Sequence, residues 1–240
     1  MNFGLVGKNI SYSFSQKYFT QKFISLGLSN YSYEVFDIQN TNELPDLFKL
    51  PNLAGFNVTI PYKQDIMGLL DELSPEAEKI GAVNTVKIHN GKKKGFNTDA
   101  TGFKDSLLPL LETQHTSALV LGSGGASKAV TYILEQLGIR YTVISRKGEN
   151  SYDSLNREIV SSNFLLINTT PVGTFPKVED SPPFPLEFIT SQHLVYDLIY
   201  NPEETKFLRL AKERGAKTKN GLEMLHLQAE AAWNIWNDQD

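Results

Sequence analysis

A chain of 240 residues with 40% hydrophobic side chains carries enough apolar material to bury a core and lies between one large domain and two small ones. Its 23 basic and 27 acidic groups leave a formal charge of −4 with neither half polarised, which argues against a general nucleic-acid binder, and zero cysteines exclude disulfides, thiolate metal sites and cysteine nucleophiles. His89, His115, His193 and His226 share no helical ligand spacing, so no metal site is expected, and no run approaches the ~18 apolar residues of a membrane span. The composition suits a soluble, cytoplasmic protein, without nucleic acid or membrane.

Asn2 to Val6 reads as a strand, and Phe14, Tyr18, Phe19, Phe23, Ile24 and Leu26 recur at helical spacing before Gly27. Tyr31 to Phe36 is a second strand, Leu44 to Leu50 a short helical stretch, and Leu53 to Thr59 a third strand. Ser74, Pro75, Glu76, Glu78 and Gly81 supply a cap, a first-turn proline, acids near the positive end and a terminating glycine for one helix. Ala82 to His89 and Lys92 to Phe96 flank Asn90-Gly91, whose tolerance of positive φ suits a two-residue hairpin. From Ser117 a βαβ pattern follows: strand Ala118 to Leu121, glycine loop, apolar helix to Leu137, strand Tyr141 to Ile144. Strands at Phe164 to Ile167 and Leu194 to Leu198 and a helix from Glu203 to Arg214 continue the alternation, and Ser181 to Phe188, with three of the eleven prolines, reads as a loop. The expected fold is α/β with mostly parallel strands.

Gly122-Ser123-Gly124-Gly125-Ala126-Ser127 places glycines where a strand-to-helix turn would meet a pyrophosphate, with the following helix amides as donors. Ser127 stands where a third glycine is usual. At the tip of the next strand, Ser145-Arg146-Lys147 replaces the acid that would hold a free ribose 2′-hydroxyl, so NADP is favoured over NAD as cofactor. In the first half, Lys63 follows Pro61 where a helix should start, Asn84 interrupts an apolar strand, and Asp99 precedes a helix expected near Gly102. Each has a bland reading as surface residue, sheet-edge residue or cap. Their accumulation where the chain crosses between halves suggests a site.

Together these segments resemble the shikimate dehydrogenase family along almost the entire chain. The resemblance is carried by Ser11-Tyr12-Ser13-Phe14-Ser15, Asn57 to Lys63, Gly81 to Thr85, Gly95 to Asp99, Gly122 to Ser127, Asn168 to Gly173, Asp197 to Pro202 and Asn220 to Ala229, in order. It implies an amino-terminal α/β substrate domain (1–100 with 221–240) and a Rossmann-type doubly wound parallel-sheet NADP domain (101–220), with the active site in the cleft between them. It further implies reversible NADP-linked reduction of 3-dehydroshikimate to shikimate. Residue by residue, Lys63 and Asp99 match the catalytic pair, and Ser13 and Ser15 the hydroxyls around the substrate carboxylate, with Tyr200 another carboxylate contact. Thr59, Asn84 and Gln228 match further substrate contacts. Gly122, Ser123, Gly124, Gly125, Ala126, Ser145, Arg146 and Lys147 match the nucleotide site, with Leu198, Gly221 and Met224 near the nicotinamide. Tyr12 and Gln16 depart from the histidine and proline usual around the serines.

The residue types suit that chemistry. Hydride exchange at a ring carbon requires the attached oxygen to gain or lose a proton, which a lysine ammonium held by an aspartate can manage, and a polyol removed from water needs Asn, Thr and Gln partners. The alternatives are a relative preferring quinate or another cyclic polyol acid, and a non-catalytic NADP- or shikimate-binding protein. Monomer and homodimer are both open.

Overall fold

The computed structural model describes residues 1–10, 13–146 and 150–238. The chain divides into two compact units, Met1–Thr98 with Ala229–Asp240, and Asp99–Gln228. The second crossing therefore falls within the last helix, eight residues beyond the 220/221 boundary of the sequence reading (228 less 220).

The first unit runs β1 (Asn2–Gly7), α1 (Phe14–Ser25), β2 (Ser32–Asp37), α2 (Leu44–Leu47), β3 (Gly55–Val58), β4 (Glu72–Leu73), α3 (Pro75–Ile80), β5 (Thr85–His89) and β6 (Lys92–Phe96). Its six-stranded sheet has the order β2-β1-β3-β5-β6-β4. The β1–β2, β1–β3 and β4–β6 pairs are parallel and the β3–β5 and β5–β6 pairs antiparallel, so this sheet is mixed. Local chemistry accounts for its punctuation. Ser74 caps α3 by accepting from Ala77 N at 3.1 Å, Pro75 starts the helix without needing a donor, and Gly81 ends it at φ 68°. At the hairpin, Asn90 and Gly91 have φ of 51° and 78°, the pair of positive values a two-residue turn demands, and His89 faces Lys92 across it.

Two apolar clusters fill this unit. Phe3, Phe19, Phe23, Tyr33, Ala229, Ala232 and Trp236 form one, with the Phe3 and Trp236 rings 4.6 Å apart and the Trp236 indole donating to the Val86 carbonyl at 3.0 Å. Val6, Phe56, Val58, Tyr62, Ile66 and Val86 anchor the other. Each large side chain removed from water contributes ~1.5 to 3 kcal/mol, so the unit depends on the distant segment that supplies Trp236.

The second unit holds nearly all of α4 (Thr98–Leu107), then β7 (Ser117–Leu121), α5 (Gly125–Gln136), β8 (Arg140–Ile144), α6 (Arg157–Ser161), β9 (Leu165–Asn168), β10 (Leu194–Asp197), α7 (Lys206–Glu213), β11 (Lys217–Lys219) and the first part of α8 (Leu222–Asn237). Its sheet is wholly parallel in the order β11-β10-β9-β7-β8. From β7 the chain first passes to β8 on one side and then returns to β9 on the other, the reversal that defines a doubly wound sheet and opens a crevice at the carboxyl ends of β7 and β9. The central strands β7, β9 and β10 are buried throughout, which explains why their sequences are continuous apolar runs without alternation.

Four local expectations change. No α-helix begins at Lys63; the chain turns through 60–64 and enters a 3₁₀ turn at Asp65–Leu69, because Lys63 O is taken by Val83 N at 2.8 Å and the Tyr62 hydroxyl is tied to Ile38 O. Helix α4 starts at Thr98 and not near Gly102, so Asp99 lies in its first turn and the Asn84 side chain, accepting from Thr98 N at 2.7 Å, takes the capping role. Helix α7 starts at Lys206 behind a Thr205 cap, later than the expected Glu203. The proline-rich loop contains a 3₁₀ turn at Leu186–Phe188.

Candidate functional site

The turn after β7 has the geometry a phosphate ligand requires. Gly122 has φ 105°, and a Cβ there would lie 2.8 Å from both Thr169 Oγ1 and Thr170 Cγ2. Glycine is needed on two counts, conformation and space. Gly124 is the N-cap of α5 and, having no side chain, leaves the first-turn amides without a side-chain cap; a Cβ at Gly124 or Gly125 would meet nothing within 4 Å. Free helix amides, the positive end of the dipole and open space beside them fit a pyrophosphate. Ser123 and Gly124 are exposed, Gly125 and Ala126 half-buried, and Ser127, in the place of a third glycine, is buried within α5. At the tip of β8, Ser145 bridges to Ser151 and Arg146 is exposed. Lys147 lies outside the described residues, as do Ser11 and Tyr12.

Opposite the turn, β9 and β10 end in polar residues. Asn168 and Asp197 are both fully buried, and the Asn168 amide donates to Asp197 Oδ1 at 2.9 Å. Burial drives the Asp197 pKa up to about 6 despite hydrogen bonds from Thr205, Ile199 N and Asn168 that favour its anion. The next residue, Leu198, is half-buried, and its backbone meets Gly221 so closely that a Cβ on Gly221 would overlap the Leu198 carbonyl; Gly221 N donates to Ile199 O at 3.0 Å. The structure thus brings together Leu198 and Gly221, two residues assigned to the nicotinamide by resemblance alone. Met224 is buried on the first turns of α8, and Tyr200, 39% exposed, follows on the same loop as Leu198.

Gly102 sets the approach of α4 to α8. A Cβ there would stand 2.5 Å from Met224 O and 3.0 Å from Gln228 N, so the helix that carries Asp99 packs backbone to backbone on the helix that carries Gln228. Gln228 is buried and donates to Leu225 O at 3.0 Å.

In the first unit, Ser13 is the N-cap of α1, its hydroxyl accepting from Gln16 N at 3.4 Å, while Ser15 is buried in the first turn. The capping role is real, yet it uses an oxygen lone pair and leaves the Ser13 proton available. Gly7, at the end of β1, has no room for a side chain because Thr59 and Ile10 close over it. The Asp37 carboxylate, at the end of β2, accepts from Asn9 N at 2.8 Å and Ile10 N at 3.2 Å, holding the loop that leads to the serines. Lys63 is half-buried; its backbone is tied to Val83, one residue from Asn84.

Asn84 does more than the sequence suggests. Its amide donates to Thr98 Oγ1 at 3.0 Å, and Asn57 donates to Asn84 O and to Thr85 Oγ1 while accepting from the buried Tyr33 hydroxyl at 2.7 Å. A buried polar chain therefore runs from Tyr33 through Asn57, Thr85 and Asn84 to the residue before Asp99. Asn57 and Asp197 belong to motifs visible in the sequence, while Gly102 lies outside them, and only their buried partners reveal what all three hold. Among the described residues no group of three or more His, Asp or Glu side chains could hold a metal ion, and no helix is long and apolar enough to cross a membrane.

With uncapped helix amides at a strand-order reversal, and a guanidinium where an acid would repel phosphate, the second unit is of the dinucleotide-binding class. Residues 5–86 match the family model described as the shikimate dehydrogenase substrate binding domain. A curated shikimate dehydrogenase (NADP(+)) of Desulforamulus reducens is 39% identical, over 97% of this chain and 88% of its own. The crystal structure of shikimate dehydrogenase from Aquifex aeolicus superposes with a TM-score of 0.88 at 39% identity, over 99% of this chain and 92% of its own. That of shikimate 5-dehydrogenase from Thermus thermophilus in complex with NADP(H) and shikimate gives 0.87 at 34%, over 99% and 93%. The chain belongs to the shikimate dehydrogenase family.

Proposed function

We propose that this protein is an NADP-dependent shikimate dehydrogenase, interconverting 3-dehydroshikimate and shikimate and so contributing to aromatic amino acid synthesis through chorismate. The observation that carries the reading is the glycine turn at Gly122–Gly125, uncapped and open at the switch between β7 and β9, in a chain of this family. Gly122, Ser123, Gly124, Gly125 and Ala126 would hold the pyrophosphate, Ser145 and Arg146 with Lys147 the 2′-phosphate end, and Leu198, Gly221 and Met224 the nicotinamide end. When bound, the dinucleotide supplies or takes up the hydride.

The chain's own residues manage the substrate and its proton. Ser13, Ser15 and Tyr200 bind the carboxylate through hydroxyls, and Thr59, Asn84 and Gln228 satisfy ring hydroxyls removed from water. The Lys63 ammonium delivers a proton to the ketone oxygen as it becomes an alcohol, and Asp99 orients and balances that ammonium. A cytoplasmic location and a monomer or homodimer complete the proposal.

The decisive experiment is an absorbance assay at the reduced nicotinamide band with shikimate and quinate each offered NADP and NAD. Turnover is expected with shikimate and NADP above the other three combinations. Preference for quinate would establish the polyol-acid alternative, and tight binding of NADP or shikimate without turnover would establish a binding protein.

A further inference from the structure

We propose that Asp197 is a positioning residue for the nucleotide turn, acting through Asn168 and Thr170 on Gly122; the proposal rests on the reading of that turn as the NADP site. Asp197 closes β10 with no solvent exposure, and three donors converge on it: Asn168 Nδ2 at 2.9 Å and Ile199 N at 3.1 Å on Oδ1, and the Thr205 hydroxyl at 2.7 Å on Oδ2. A carboxylate accepts only, so its presence dictates the direction of every bond around it.

The consequence for Asn168 is specific. Because its Nδ2 must face the carboxylate, its Oδ1 is turned toward Thr170, where it accepts from Thr170 N at 3.0 Å and from the Thr170 hydroxyl at 2.7 Å. That arrangement folds Thr169 and Thr170 back over the end of β7. The Thr169 hydroxyl donates to Leu121 O at 2.8 Å, and the two threonines occupy the space a Cβ on Gly122 would need. The floor of the glycine turn is therefore built by side chains whose orientation begins at Asp197. The same carboxylate fixes the loop bearing Leu198 through Ile199 N, and the start of α7 through Thr205, whose oxygen in turn accepts from Leu208 N at 3.3 Å.

A merely stabilising tie would not need a charge in the interior, where an ionised group is costly to hold. A carboxamide at this position would keep one acceptor and present an NH₂ in place of the other, so either the Thr205 hydroxyl must reverse its bond or Asn168 Nδ2 and Ile199 N must face a donor; only the acid accepts from all three at once.

The test is fluorescence titration of NADPH into the full chain and two variants, with melting temperature recorded alongside. Asp197→Asn keeps the shape and replaces one of the two acceptor oxygens with a donor; Thr170→Val keeps the branched side chain and removes the hydroxyl that reads Asn168. NADPH binding is expected to weaken by about tenfold to a hundredfold in Asp197→Asn and by about threefold to tenfold in Thr170→Val, with the shikimate KM of Thr170→Val within about twofold. Both variants binding NADPH within about twofold of the parent, whatever their melting temperatures, would overturn the proposal and leave Asp197 a structural tie. If Asp197→Asn does not fold, Thr170→Val decides alone. Failure of the parent itself to bind NADPH would overturn the nucleotide reading and this inference with it, so the two failures appear in different proteins.

Discussion

Alanine at Gly221 and at Gly124 should separate packing from binding. At Gly221 the added Cβ would overlap the Leu198 carbonyl, whose atoms are backbone and cannot swing aside as a side chain would. Overpacking of this kind costs ~1 to 3 kcal/mol, and displacement of Gly221 N from Ile199 O, now 3.0 Å, adds ~1 kcal/mol. The sum, ~2 to 4 kcal/mol, is a large share of the ~5 to 15 kcal/mol by which a domain is stable. For a chain of this size it corresponds to a fall in melting temperature of ~4 to 16 °C. At Gly124 the Cβ would meet nothing within 4 Å, and φ −83°, ψ −172° is extended backbone open to alanine, so stability should stay within ~0.5 kcal/mol while the NADP KM rises. Urea unfolding followed by circular dichroism, with initial rates at varied NADP, measures both quantities. A Gly221→Ala protein as stable as the parent would refute the close approach of Leu198, and a Gly124→Ala protein with unchanged NADP KM would refute phosphate binding at the turn.

Lys63→Ala is expected to keep the fold and lose turnover by ~10²- to 10⁴-fold, checked by kcat against melting temperature; parental turnover would remove Lys63 from the chemistry. Arg146→Ala should reduce kcat/KM for NADP by about tenfold to a hundredfold and leave NAD nearly unchanged, so a constant ratio between the two cofactors would make Arg146 a bystander. Ser13→Gly, which retains a tolerated cap, combined with Ser15→Ala should weaken shikimate binding by ~1 to 3 kcal/mol in calorimetry without affecting NADP. His193 is held neutral by burial, its pKa lowered, so the unfolded chain protonates first and stability present above pH ~6.5 is lost as pH falls below it. Asp197, raised to about 6, acts with the opposite sign, its ionised form being relieved as pH falls through that value. The melting temperature should consequently fall less steeply between pH 7 and 5.5 in His193→Asn than in the parent, and equal slopes would rule the histidine out.

What the sequence disclosed was whatever is written locally. The α3 caps, the Asn90-Gly91 hairpin and the strand–glycine turn–helix at 118–137 each put their determining residues within about twenty positions, and each has its expected form in the structure. Strands β4 and β11 and helix α6, of two, three and five residues, carry too few side chains to show a period and were absent from the pattern. The site follows the same division. Motif residues such as Lys63, Asn84 and Gly122 could be picked out individually, but that Asn84 caps α4, that Gly102 admits α8, and that Leu198 lies against Gly221 depend on partners 14 to more than 100 residues away. Lys63 shows the hazard: its helix was inferred from a preceding proline, and a bond to Val83, far along the chain, decided otherwise.

The placement of Trp236 bears on how the protein is made. A ribosome delivers residues 1–98 first, with Phe3, Phe19 and Phe23 lacking the indole and the two alanines that later complete their cluster. The whole of Asp99–Gln228 must be synthesised before Ala229, Ala232 and Trp236 emerge. The usual order, in which the domain nearest the amino terminus finishes first, is thereby inverted: the parallel sheet of the second unit has all its strands in hand while the first unit still exposes an aromatic face. Translation speed through the codons for Asp99–Trp236, and chaperones that shield aromatic surface during that interval, should therefore bear on the yield of native protein.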